Sequence, residues 1–563
     1  MVNYNSTDFN IKEFGSFYSK DKTIFRIFAP ENKKMYLVLN NETILMNKNN
    51  YCFELTINED LANAKYCYKN DDGVYFRDPF AYYSDDDYSY VLDKEKFIKE
   101  KVKINKAKDI IIYESNVRDF SCDDTYIGKY KRKLLAYTED NLKINDNYSI
   151  GLDYLKQLGI TYLQLMPIFD FDLDGADYNW GYNPIAYNYV NKDYIVDSNN
   201  PYAFINEVRK TINVLHENNI HVTFDVVFNH VYNYLKYDLD LMIPGHVFRL
   251  KEDGSMAQGT YCGNEIKSED PFVRAYLIEM VERYIELFDV DGIRMDLMGI
   301  LDYETVNEIY NHAKKIKNDF IVYGEGWNMG DVLSEDKRAS SINANKISNI
   351  ALFNDYYRDT LINYICGNDS INESVKNILS ANGNLNYKQS LNYVECHDNY
   401  TFFDKMIRFK GDDQIWINER RCKLALALVV LSRGIPFIHA GQEFLRTKNL
   451  VENSYNSNES INHIDWQRRV ENNDIVEYFC DLVDIRKTYS EFRNDNTNVY
   501  FEDYYECIIY HLDNMMIIIN PCKWDHTYKD GHQYDVIFDF EGKNSYKSDT
   551  LLIPAYSILI CRQ

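Results

Sequence analysis

The chain has 563 residues, 45% of them hydrophobic, which is too long for one compact core and leaves room for two to four domains. A formal net charge of −25 would repel a phosphate backbone and anionic lipid, so neither nucleic acid nor a membrane is expected as a partner, whereas a neutral ligand is indifferent to it. No apolar window of about 18 residues appears, and the opening MVNYNSTDFNIKEFG has neither a basic start nor an apolar run, so no membrane span or secretory signal is visible and a cytoplasmic protein is expected.

In chain order, residues 17–80 alternate in short runs such as KTIFRIFAP and KKMYLVLN, with Asn, Asp, Gly and Pro between them; an amino-terminal β-sandwich is expected over 1–105. From 106 the rhythm changes. Apolar strand candidates at 109–117, 160–168, 221–228, 290–298, 320–326, 347–354, 390–398 and 435–441 alternate with helical stretches, and eight is the number that closes a parallel barrel. One helix is expected from an Asn200 cap and Pro201 through Phe204, Val208, Ile212 and Leu215 to Asn218–Asn219; its successor opens at Asp270–Pro271. The stretch from Val231 to Glu269 is longer and less regular, an excursion after the third strand. The barrel is assigned to 106–484, and YECIIYHL, MMIIIN, YDVIFDF and YSILICR mark a carboxyl-terminal β-sandwich over 485–563. The fold class is therefore α/β, a (β/α)8 barrel between two β-sandwiches.

Eleven scattered cysteines lack any CxxC pair, which leaves reduced structural thiols as the simplest reading. The aromatic share of 15% would suit stacking on sugar rings, but the joint abundance of Asn, Ile, Lys and Tyr is explained as well by codon bias, so composition does not name a ligand.

Four segments carry polar residues at the carboxyl ends of predicted strands: Asp225, Asn229 and His230 in DVVFNH; Arg294 and Asp296 in DGIRMD; Glu325 in YGEGW; His397 and Asp398 in ECHDN. In an eight-stranded barrel these ends converge on one face, where active sites of that architecture lie. Strand alternation puts Arg294 and Asp296 on one face of an otherwise apolar strand, a charged pair that needs a buried partner or a chemical task.

These four segments, in this order, resemble the four short conserved regions of the α-amylase superfamily of retaining glycoside hydrolases, and YNWGYNP (178–184) resembles the heptapeptide of type I pullulanases. YESNVRDF (113–120) and NSYNSNESINHIDW (453–466) add to the likeness, which covers about 106–470; FRIFAPENKKMYLVL resembles more weakly the carbohydrate-binding sandwich that precedes such barrels. The resemblance implies hydrolysis of α-1,6-glucosidic bonds in pullulan, branched dextrins or glycogen, with an isoamylase-type debrancher or an α-1,4-glucan hydrolase as the alternative and a silent glucan-binding protein as the rival of another class. It implies Asp296 as nucleophile, Glu325 as general acid and then base, Asp398 as the third carboxylate, and sugar contacts from Tyr182, His230, Arg294, Trp327, His397 and Asn399, with Trp180 and Asn183 supporting the loop. Arg294 is expected to keep Asp296 ionised, and Trp327 with nearby negative charge to raise Glu325. Asn229 matches a calcium-ligating position of many α-amylases, but no cofactor is expected and metal is left unassigned, as is the oligomeric state. Glu395–Cys396 stands where the subfamily often has Ser-Lys, a departure that bears on acceptor-side recognition.

Overall fold

The structure is a computed structural model describing residues 2–367, 372–383, 385–411 and 413–562. Eight parallel strands close a barrel in chain order: β1 (Ile112–Ser115), β2 (Tyr162–Leu165), β3 (His221–Val226), β4 (Gly292–Met295), β5 (Ile321–Gly324), β6 (Ala351–Phe353), β7 (Ser390–Asn392) and β8 (Ile435–His439). Closure is made by β1 beside β8, with Ile112 opposite Phe437. Because the strands are covered by helices outside and packed side chains inside, nearly all their residues are buried, which is why they read as short apolar runs.

Each of the eight expected strands is present, but most are shorter than the apolar text suggested. β4 ends at Met295, and the backbone turns at Leu297 into the left-handed region (φ 39°). Alternation within a strand therefore does not place Asp296; the turn and its hydrogen bonds do. His397 and Asp398 likewise lie beyond β7, on the segment leaving the barrel.

The two expected helices form at Ala203–Glu217 and Pro271–Phe288. The first starts later than Asn200–Pro201, since Asn200 spends its side chain on the amide of Tyr202 in a turn ahead of the helix (3.1 Å). The second opens as expected: the Asp270 carboxylate accepts from the amides of Phe272 and Val273, and Pro271 occupies the first turn.

Before the barrel lie two antiparallel sheets, one built on Lys22–Phe28 and Cys52–Ile57, the other on Met35–Leu39 and Lys65–Asn70. After it comes a six-stranded sheet from Val499–Tyr504 to Ser557–Arg562, with a two-stranded companion of His526–Tyr528 and Leu551–Ile553. Cys507–Leu512 and Met515–Asn520 are buried throughout. One face, with Ile508, Tyr510, Ile517 and Ile519, joins the main core, and the other, with Ile509, Met516 and Ile518, packs on Leu551 and Ile553. Among the described residues no helix is long and apolar enough to cross a membrane.

Candidate active site

The centre of the site is the Arg294 guanidinium on β4, 1% exposed. Its Nη1 donates to Asp225 Oδ1 on β3 (3.0 Å) and to Asp296 Oδ1 (2.9 Å), while its Nη2 donates to Glu325 Oε1 just past β5. Three acids from three successive strands thus converge on one cation. Such a charge is tolerated in a barrel interior because both terminal nitrogens are paired with acids.

The second oxygens of these acids are engaged separately. Asp225 Oδ2 accepts from the Tyr182 hydroxyl (2.6 Å), Asp296 Oδ2 from Asn229 Nδ2 (2.8 Å), and Glu325 Oε2 from the amide of Leu297 (2.9 Å). The left-handed turn at Leu297 aims that amide at Glu325. Asn229 is spent at both ends, since its Oδ1 is bonded to His230 Nδ1 (2.6 Å) and His230 Nε2 reaches the Tyr182 carbonyl (3.1 Å). Its amide oxygen is therefore turned to His230.

The opposite wall comes from the segment after β7. His397 stacks on the Tyr182 ring (centroids 5.0 Å, 17°) and meets Trp180 edge-on (5.1 Å, 82°). It is anchored from below by Glu114 on β1, whose carboxylate takes the His397 amide (2.9 Å) and Nδ1 (2.7 Å), with Gln164 of β2 donating to the same group (3.0 Å). Asp398 lies 3.6 Å from His397 Nε2 and keeps a side chain 38% exposed, so it faces the cleft. Lys448, after β8, donates to the His397 carbonyl (3.0 Å) and rests on Trp180.

Burial pushes the pKa of Glu325 up to about 8, opposed by Arg294 and reinforced by Asp296 and Asp398. Burial likewise lifts Asp225 to about 6, against the pull of Arg294. His397 runs the other way: burial alone would lower it, but Glu114 and then Asp398 outweigh that and hold it up to about 9. The cleft therefore presents a carboxyl that keeps its proton at neutral pH beside an imidazole that keeps its charge.

Of the residues singled out from the sequence, Asp296, Glu325, Asp398, Tyr182, His230, Arg294 and His397 come together here. Trp327 is partly buried, lines an adjoining cavity of about 510 Å³ with Phe353 and Asn354, and has a buried Nε1 without a hydrogen-bond partner. Asn399, exposed and left-handed (φ 63°), makes none of the network's hydrogen bonds among the described contacts. The shift of Glu325 comes first from burial and then, against the pull of Arg294, from the two aspartates, and Arg294, expected to keep Asp296 ionised, serves all three acids.

Sequence reasoning missed Glu114 and Lys448 as supports. The lone acid in the apolar run IIIYES was the available signal for Glu114; Lys448 left none. Glu395, in place of serine, is buried and paired with His439 Nδ1 (2.7 Å), so this departure feeds a polar cluster beneath the site. One group of possible metal donors, Glu506, Cys522 and His526, lies in the carboxyl-terminal sheets and not at this face.

No protein-family model matches the chain. It is 33% identical over 524 residues to the pullulanase of Bacillus subtilis strain 168, covering 85% of this chain and 72% of that protein. It spans 35% and 48% of the longer pullulanases of Streptococcus pneumoniae and Arabidopsis thaliana. The pullulanase of Anoxybacillus sp. LM18-11, solved with maltotetraose, superposes with a TM-score of 0.94 at 31% identity, over 99% of this chain and 88% of that one. Type I pullulanase from B. subtilis strain 168, solved with maltose, gives 0.92 at 30% identity, over 98% and 85%. With these likenesses running through both β modules as well as the barrel, the chain belongs to the pullulanase family of the α-amylase superfamily.

Proposed function

We propose that this protein hydrolyses α-1,6-glucosidic bonds in branched α-glucans with retention, through a glycosyl-enzyme intermediate. The observation that carries the reading is the shared guanidinium: Asp296 and Glu325 sit on neighbouring nitrogens of Arg294, and burial lets the Glu325 carboxyl keep its proton to about pH 8. Retaining enzymes hold their carboxyl pair closer, about 5–5.5 Å, than inverting ones, about 6.5–9.5 Å, and we read two carboxyls held on one guanidinium as the closer pairing.

In the first step Asp296 attacks the anomeric carbon while Glu325 gives its proton to the departing glycosidic oxygen, so the C–O bond to the leaving chain breaks as the ester to Asp296 forms. Glu325, now ionised, takes a proton from water, whose oxygen attacks the same carbon and releases Asp296. Asp398 and the charged His397 address sugar hydroxyls, and Tyr182 offers a ring braced by Asp225 and His397. The chemistry asks for no metal, since Arg294 supplies the positive charge that steadies the ionised forms.

Incubation with pullulan releases maltotriose under this reading; no maltotriose, together with cleavage of amylose, moves the assignment to the α-1,4 hydrolases, and release from glycogen but not pullulan moves it to an isoamylase-type debrancher. We also place the protein in a reducing compartment, the cytoplasm. The buried thiols of Cys67, Cys122, Cys422, Cys507 and Cys561 support this, and cell fractionation tests it.

A further inference from the structure

The excursion after β3 returns to the barrel through a short loop, residues 259–266, that crosses the rim near the end of β4. One side of the loop is tied beside His230: Ile266 N donates to Asn229 O (2.9 Å), and Asn264 accepts from Val231 N (3.0 Å) while donating to Val231 O (2.7 Å). The other side is tied beyond Glu325: the buried Glu265 carboxylate accepts from Gly259 N (2.6 Å) and Asp331 N (3.1 Å). Thr260 closes the loop on itself through Asn264 O (2.8 Å).

Between these anchors Tyr261 stands 88% exposed, the most exposed large hydrophobic side chain among the described residues, with its backbone left-handed at φ 61°. The ring buries almost nothing, so it adds little to folding, and what sets it apart from other exposed tyrosines is the place of its loop beside the site. The next residue is close to the chemistry: desolvation and then the Asp296 carboxylate raise the Cys262 thiol.

We propose that Tyr261 is a stacking platform for a glucose ring of the α-glucan on the leaving-group side of the bond being cut. This rests on the pullulanase reading above. Glu325, which gives its proton to the leaving oxygen, lies at the end of β5, whereas Tyr182, His397 and Asp398 form the opposite wall from the segments after β2 and β7. The loop is tied to the segments after β3 and β5, hence to Glu325's side. A tyrosine face matches the apolar C–H face of a pyranose, and a loop braced on both sides presents it with little ordering cost on binding.

The test is steady-state kinetics on pullulan with Tyr261→Gly, Tyr261→Phe and Tyr505→Gly. Glycine tolerates the same φ, so the loop keeps its course. Tyr505 is a matched control, 76% exposed at φ 53° in the carboxyl-terminal hairpin. Tyr261→Gly raises KM about three- to tenfold with kcat changed less than about twofold, the size of one lost aromatic contact; Tyr261→Phe stays near wild type, and Tyr505→Gly leaves KM unchanged. An unchanged KM in Tyr261→Gly, or an equal rise in Tyr261→Phe or Tyr505→Gly, overturns the platform while leaving the pullulanase reading intact. A wild-type chain that releases nothing from pullulan overturns both.

Discussion

Glu325 and Asp296 share one cation, yet Glu325 is pushed towards its protonated form, and the cause lies in what else surrounds it. Asp296 takes a hydrogen bond from Asn229 on its free oxygen, while Glu325, buried and facing the negative charge of Asp296 and Asp398, holds its proton to about pH 8. Turnover should therefore fall as pH rises through about 8, and Glu325→Gln should lower kcat about 10²–10⁴-fold and remove that alkaline limb; a variant that keeps the limb assigns the proton elsewhere. Glu114 is a positioning residue one layer down. Its carboxylate holds His397 charged, so the pair stabilises the fold fully below the unfolded histidine value of about 6.5 and loses that share as pH rises through about 9. Glu114→Gln should thus lower the urea midpoint most at about pH 6, with the gap to wild type narrowing above about 6.5 and closing above about 9. A gap that stays constant with pH would mean that His397 is not held charged by Glu114.

At the scale of elements, the strands and their order could be read from the sequence, because a strand buried on both faces leaves a short apolar run bounded by polar ends. Where each strand stops could not. The turns at Leu297 and after β7 are set by hydrogen bonds between segments that are far apart in the chain, such as the Leu297 amide to Glu325 and the His397 amide to Glu114, and a single apolar run carries no trace of its partner. For the same reason the three acids were legible as residues while the guanidinium fork joining them was not. One element junction makes the dependence testable. Gly299, in the turn after β4, donates its amide to Glu325 O (3.0 Å), and a Cβ there would lie 1.9 Å from the Trp327 carbonyl oxygen. Gly299→Ala must push the Glu325–Trp327 segment outward, and a displacement of about 1 Å costs on the order of 10²-fold in rate. The expected result is a large loss of kcat with a smaller loss of stability; full activity would show that the two turns can part without moving Glu325.

At the scale of the whole molecule, the amino-terminal sheets are fastened to the barrel through the helix Pro271–Phe288, which is why that helix is buried on nearly every side and lacks the polar stripe of a surface helix. Phe272 stacks on Phe28 (4.7 Å, 11°), the Tyr276 hydroxyl donates to Pro79 O (3.2 Å), Arg283 donates to Phe80 O (2.6 Å), and Tyr4 donates to Asp270, the residue that caps the helix (2.9 Å). Arg77 adds a half-buried pair with Asp238 in the excursion after β3 (2.9 Å), and the loop bearing Tyr261 belongs to that same excursion. Removing residues 1–105 would expose Phe272 and Tyr276, together worth about 3–6 kcal/mol of burial, and would leave Asp238 without its arginine, a large share of the about 5–15 kcal/mol that holds an ordinary domain folded. A chain beginning at 106 should therefore unfold at a markedly lower temperature and lose kcat on every glucan, short or long. If these sheets served only to tether polymer, the truncated chain would instead keep its unfolding midpoint and its kcat, and only KM for long chains would rise; scanning calorimetry beside kinetics on pullulan and on a short branched oligosaccharide separates the two outcomes.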